Sequence, residues 1–177
     1  NRPRAVLVGP PGAGKSTVGR ALAHRWGVTF RDTDRDVEQA AGMSVADIFV
    51  TAGEEHFRSL ERNAVMTALG EHEGVLALGG GAVLDGDVRA ALLDHVVVHL
   101  DVGLAAAMSR LAMNRSRPLL VGNVRGQWQR LSDERRPLYQ QVARLSLLTD
   151  GMSAAQVSDR VAADLARRDA ADAGRAA

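Results

Sequence analysis

An α/β sandwich, a parallel sheet covered by helices on both faces, is the fold class that this sequence predicts. Three observations point to it. Short apolar runs recur along the chain, at "RAVLVG" (4–9), "VTFRD" (28–32), "GVLALG" (74–79), "VVVHLD" (96–101) and "LSLLTD" (145–150). Their near-continuous Val, Leu and Ala content marks strands buried on both faces. Longer segments of helical pattern separate them, and that alternation is how a parallel sheet is wired. A glycine-rich turn, "GPPGAGKST" (9–17), also leads from the first run straight into the first helical segment, which is the setting of a P-loop.

The helical patterns run over 15–26, 44–52, 54–69, 85–93, 103–112, 124–143 and 153–168. Pro137 falls inside the sixth of these, where proline kinks or restarts a helix. The closing "RRDAADAGRAA" holds few large apolar groups, so 169–177 is expected to fray. No linker or internal repeat interrupts 1–168, which reads as one domain.

The 177 residues suffice for one sizeable core, and 46% apolar residues with mixed charges fit an ordinary soluble globule. A net charge of +1 provides no broad basic field, so nucleic acid is not an expected partner. There is no cysteine, which excludes disulfides and thiolate metal sites. No apolar run reaches the ~18 residues of a membrane span, and the first residues run into a strand without a signal-peptide pattern, so a cytoplasmic location is expected. Of the 22 basic residues, Lys15 is the only lysine. That position is expected to need a compact ammonium on a thin stem, which the planar guanidinium fork cannot replace.

Lys15 lies in the glycine-rich turn. Gly9, Gly14, Lys15 and Ser16 satisfy the P-loop spacing, and the helix that follows directs its positive dipole end at the same place. Glycines let successive N–H groups turn toward phosphate oxygens. Gly12, Ala13, Gly14, Lys15, Ser16 and Thr17 are thus the candidate nucleotide-binding residues, with Lys15 reaching the β- and γ-phosphates and the Ser16 hydroxyl available to Mg²⁺.

A P-loop alone does not name a function. The second strand ends in "DTD" (32–34), at the sheet edge where open α/β folds bind ligands. Side chains alternate along a strand, so Asp32 and Asp34 are expected to point the same way. Their mutual repulsion asks for a cation or ligand between or beyond them.

With "GPPGAGKST" and "DTD", the segments "FRSLE" (57–61), "GGG" (79–81), "RPLL" (117–120) and "RRPLY" (135–139) make an ordered set. It resembles the shikimate kinase family over nearly the whole chain. The resemblance implies transfer of the ATP γ-phosphoryl group to the 3-hydroxyl of shikimate, on the route to chorismate and the aromatic amino acids. It also implies a five-stranded parallel sheet in the order 2-3-1-4-5 and a mobile lid, placed at about 112–124.

On that resemblance, Asp34 meets the attacking hydroxyl as hydrogen-bond acceptor or base, and Asp32 orients Mg²⁺ directly or through water. Arg58 and Arg136 are the candidate forks for the substrate carboxylate, with Glu61, three residues along the helix, holding Arg58. Gly79, Gly80 and Gly81 let backbone approach the ring closely. Arg117 reaches the transferring phosphate from the lid, and Arg110 matches a family position against adenine. Arg115 reads equally well as an exposed charge, and Arg135 is expected to face water. Around 149–157 no adenine-side motif is recognisable. Trp26 and Trp128 read as packing residues, and His24, His56, His72, His95 and His99 show no ligand spacing. The expected partners are ATP and shikimate, without membrane or nucleic acid, acting on a monomer.

Two alternatives stay open on residues alone: another small-molecule kinase, such as a gluconate or nucleoside monophosphate kinase, and an ATP-dependent switch without an acceptor. Lys15→Arg is expected to lose most activity although the charge is kept. Steady-state turnover near that of the wild type would refute the argument from the lone lysine.

Overall fold

The computed structural model describes residues 1–112 and 122–176. Five strands, β1 (Ala5–Val8), β2 (Phe30–Asp32), β3 (Val75–Ala77), β4 (Val97–Asp101) and β5 (Leu145–Leu148), form one sheet. Its order is β2-β3-β1-β4-β5, and each neighbouring pair is parallel. The order implied by the resemblance is therefore the order observed.

Each strand is shorter than its apolar run. The residues beyond β1 and β3 leave the ladder and become the loops at the carboxyl edge. Alternation along β1 divides the core in two. Ala5 and Leu7 join Leu22, Leu100, Trp128 and Val161 on one face of the sheet. Val6 and Val8 join Val65, Leu76, Val88 and Tyr139 on the other.

Among the described residues, seven α-helices flank the sheet: α1 (Lys15–Trp26), α2 (Thr33–Ala41), α3 (Val45–Glu71), α4 (Gly86–Leu92), α5 (Leu104–Ala112), α6 (Val124–Val142) and α7 (Ala154–Ala176). The two helical patterns on either side of Gly53 meet at a kink, where Gly53 adopts φ 82° and ψ 171°, a backbone state that only glycine enters without strain. α6 runs through Pro137 as one helix.

Two expectations change. α2 was not anticipated. Asp32 caps it, accepting from Asp34 N at 3.0 Å, and Gly42 closes it in the left-handed conformation. Asp34 thus stands in the first turn of a helix, and strand alternation does not govern where it points. The tail is helical as well: α7 continues to Ala176, and Arg144 pairs with Asp169 at 3.1 Å and Asp172 at 2.6 Å. Alanine-rich sequence with acid–base pairs one turn apart favours helix over fraying. No helix among the described residues is long and apolar enough to cross a membrane.

His99, on β4, is 1% exposed. Its Nδ1 lies 3.2 Å from Ser146 Oγ, and its ring stacks on Tyr139 at 5.1 Å between centroids. Burial pushes its pKa below the ordinary value; Asp101 pulls it back up, while Arg136 and Lys15 press it down. The folded state then binds this proton less readily than the unfolded chain does. His99 accordingly contributes stability that is present above the ordinary histidine pKa of about 6.5 and is lost as pH falls. The melting temperature should drop between pH 7 and pH 5, and more shallowly in His99→Asn. Equal slopes in the two proteins would show that another group is responsible.

Candidate active site

The loop between β1 and α1 makes room for a ligand by removing side chains. Gly9, Gly12 and Gly14 have φ of 150°, 85° and 90°. A Cβ on Gly9 would stand 2.1 Å from Leu100 O, and one on Gly12 would meet the Ala107 backbone at 3.1 Å. The loop is thus pressed onto the end of β4 and onto α5. Lys15, 8% exposed, donates to Gly9 O at 2.8 Å and Pro10 O at 3.1 Å. Beside it, Ser16 Oγ donates to Asp32 Oδ2 at 2.8 Å. A hydroxyl and a carboxylate oxygen, both hard donors of the kind that Mg²⁺ takes, therefore stand together at the phosphate cradle.

Two clefts share this edge. One, of about 300 Å³, is lined by Gly12, Gly14, Lys15, Ser16, Thr17 and Arg110. The other, of about 560 Å³, is lined by Pro11, Phe49, Phe57, Arg58, Glu61, Gly81, Trp128 and Arg135. Ser16, Thr17, Asp32, Asp34, Gly79 and Gly80 line both. The carboxylate of Asp34 thus stands where contents of the two clefts would meet.

The three glycines after β3 carry much of the geometry. A Cβ on Gly79 would lie 2.6 Å from Glu61 Oε2 and 2.7 Å from Asp34 Oδ1, and one on Gly81 would lie 2.1 Å from Arg58 Nη1. The charged side chains occupy the space that the glycines leave. Gly80 O accepts from Tyr139 OH at 2.5 Å. Burial raises the Tyr139 hydroxyl to about 12, so it stays a donor at any working pH.

Arg58 Nη1 bonds Glu61 Oε1 at 2.7 Å. Its Nε and Nη2 have no hydrogen-bond partner among the described residues, and the Glu54 carboxylate is 3.5 Å from Nη2. Glu61 is 3% exposed. Burial raises its pKa, while Arg58 first, and Arg135 more weakly, pull it back down.

The second arginine that lines the larger cleft is Arg135, where Arg136 was expected. Arg136 bonds Asp101 Oδ2 at 3.2 Å, Asp133 Oδ1 at 3.0 Å and Ser132 Oγ at 3.3 Å, and it does not line the cleft. Arg135, expected in water, is 4% exposed and does line it. The signal was in the sequence. The buried residues of α6 are Trp128, Ser132, Arg135, Tyr139 and Val142, a four-three spacing that places Arg135 on the apolar stripe.

Arg110 takes its place at the smaller cleft, donating to Gly12 O, Thr149 Oγ1 and Thr149 O, each at 3.0 Å. Thr149 thus does work in the stretch where no motif was recognised. Trp128 packs as expected but also bonds Pro11 O through Nε1 at 2.8 Å. Arg115, Arg117 and most of the 112–124 lid segment lie outside the described residues.

A parallel sheet of this order, with a lysine-bearing phosphate loop facing a carboxylate and two guanidinium groups across a shared edge, defines a P-loop phosphotransferase. The shikimate kinase family model matches residues 11–166. Named shikimate kinases of Streptomyces avermitilis and Salinispora arenicola are each 53% identical to the chain, covering 90% and 93% of it and 93% and 98% of their own lengths. The solved structure of shikimate kinase from Acinetobacter baumannii in complex with shikimate superimposes with a TM-score of 0.91 at 33% identity, covering 95% of each chain. The chain belongs to the shikimate kinase family. A deoxyadenosine kinase from M. mycoides, at TM-score 0.62 and 16% identity, shares the fold alone.

Gly81→Ala would drive a methyl group into the Arg58 guanidinium, the movable end of a flexible side chain. The fold should survive, the KM for the acceptor should rise about tenfold or more, the scale of a lost charged hydrogen bond, and the KM for ATP should stay within about twofold. An unchanged acceptor KM would detach Arg58 from binding.

Proposed function

We infer that this chain transfers the γ-phosphoryl group of ATP to the 3-hydroxyl of shikimate, giving shikimate 3-phosphate and ADP on the route to chorismate and the aromatic amino acids. The observation that carries the reading is the state of Arg58. One edge of its fork is held by buried Glu61, and its Nε and Nη2, without hydrogen-bond partners among the described residues, belong to a residue that lines the larger cleft beside Arg135. A carboxylate on a small ring acid supplies the oxygens that such a pair requires, in a charge-assisted geometry that fixes orientation. The family and the shikimate named with the Acinetobacter structure support the choice of acid.

With the acid clasped there, its ring lies against Pro11, Phe57 and the bare Gly79–Gly81 backbone, and a ring hydroxyl meets Asp34. The hydroxyl oxygen bonds to the γ-phosphorus as the bond from that phosphorus to the β–γ bridging oxygen breaks. ADP leaves with the electron pair, and the proton passes to Asp34 or to a phosphate oxygen. Lys15 balances charge on the β- and γ-phosphates, Thr17 and the loop N–H groups hold the chain of phosphates, and Arg110 lies at the base end. Ser16 and Asp32 would hold Mg²⁺, whose chemistry is to neutralise phosphate charge in the transition state. Arg117 is assigned to the transferring phosphoryl group. The enzyme is assigned as a monomer, and the need for ATP suits a cytoplasmic location.

The test is a coupled ADP-release assay with Mg-ATP and a panel of shikimate, gluconate and nucleoside monophosphates. ADP release should depend on shikimate alone, and Arg135→Ala should raise the shikimate KM about tenfold or more while the ATP KM moves less than about twofold. Release with gluconate or a nucleotide, and not with shikimate, would sink the reading.

A further inference from the structure

Asp101 ends β4 and lines neither cleft. Its two ends are used differently. The main-chain oxygen accepts from Thr149 N at 2.9 Å and Thr149 Oγ1 at 3.0 Å, and Thr149 is the residue that holds Arg110 and also reaches Ala13 O at 3.2 Å. The side chain has other partners: Oδ1 accepts from Val102 N at 2.9 Å and Oδ2 from Arg136 Nε at 3.2 Å.

Arg136 follows Arg135 on α6, so the two guanidinium groups leave the helix in different directions. The helix is anchored to the loops after β1 and β3, at Trp128, bonded to Pro11 O, and at Tyr139, bonded to Gly80 O. Between those anchors the turn that carries Arg135 has one ionic tie to the sheet among the described residues, Arg136 on Asp101. Its rotation about the helix axis decides where the Arg135 fork points, and a fork bound to a planar carboxylate tolerates little error in angle.

We propose that the Asp101–Arg136 pair is a positioning device for the acceptor: it sets the turn of α6 that presents Arg135 to the acceptor's carboxylate. The proposal rests on the shikimate reading above. Asp101 and Arg136 touch neither reactant; they act through Arg135. The nucleotide side is secured by the main-chain oxygen of Asp101, which side-chain substitution leaves in place. Loss of the pair therefore separates the two substrates kinetically, which a general loss of stability does not do.

The experiment is steady-state kinetics in both substrates for wild type, Arg136→Ala, Arg136→Lys, Asp101→Asn, Arg135→Ala and the Arg135→Ala/Arg136→Ala double variant, with melting temperatures alongside. Arg136→Ala should raise the shikimate KM about tenfold with the ATP KM within about twofold, and Arg136→Lys and Asp101→Asn should fall between it and wild type. Added to Arg135→Ala, Arg136→Ala should change the shikimate KM by less than about twofold more, because residues that act through one another are not additive. Multiplying effects in the double variant would mean that Arg136 meets the acceptor itself, and would overturn the proposal. Equal shifts in both KM values, or no shift in the single variants, would overturn it too. Should Arg136→Ala fail to fold, the split in Arg136→Lys and Asp101→Asn decides on the same terms. A wild-type enzyme that ignores shikimate would fail the functional reading instead.

Discussion

A methyl group on Gly81 would sit 2.1 Å from Arg58 Nη1, and one on Gly79 would sit within 2.7 Å of both Glu61 and Asp34. The catalytic edge depends on this closeness. Three charged side chains from α2 and α3 lie against bare backbone after β3, so their positions are set by contact with the sheet itself. The P-loop obeys the same rule, since Gly9 lies against Leu100 O and Gly12 against Ala107. Close packing of backbone leaves few voids, and here it shapes the walls of the clefts.

The electrostatics follow from that packing. Glu61 is buried almost completely, and burial alone disfavours its charge. The guanidinium groups of Arg58 and Arg135 work against the desolvation. A buried acid so placed adds little net stability, yet it holds one edge of Arg58 at 2.7 Å, while Nε and Nη2 keep no hydrogen-bond partner among the described residues and Glu54 stands 3.5 Å from Nη2. Asp32 has a comparable double task, capping α2 through Oδ1 while Oδ2 accepts from Ser16. One carboxylate thereby ties the start of a helix to the phosphate loop.

Much of this was legible in the sequence, and the exceptions are instructive. The phosphate loop is local: its chemistry lies in consecutive residues, and spacing alone exposes it. Asp32 and Asp34 are legible as a pair but not as a geometry, because period-two alternation stops where β2 ends at Asp32 and Asp34 already lies in α2. Asp32 as cap and Gly42 as terminator of α2 were visible signals. Arg135 and Arg136 are neighbours of the same type, and choosing between them needs the rotation of α6, which tertiary packing sets. Counting back from the apolar stripe would have chosen Arg135. The Thr149–Arg110 contact joins residues 39 positions apart, and no local pattern encodes it.

The lone lysine can now be argued from its surroundings. Lys15 Nζ lies on two carbonyl oxygens of its own loop, Gly9 O and Pro10 O, in a site that leaves the residue 8% exposed. Those oxygens are neutral acceptors, so a phosphate that enters the cradle offers the ammonium a stronger partner within a short swing of the stem. A guanidinium has a broader head and fixed donor directions. Its bulk would press on a loop that already lies against the end of β4 at Gly9. The bare backbone that shapes the cradle is thus also what excludes arginine from its centre.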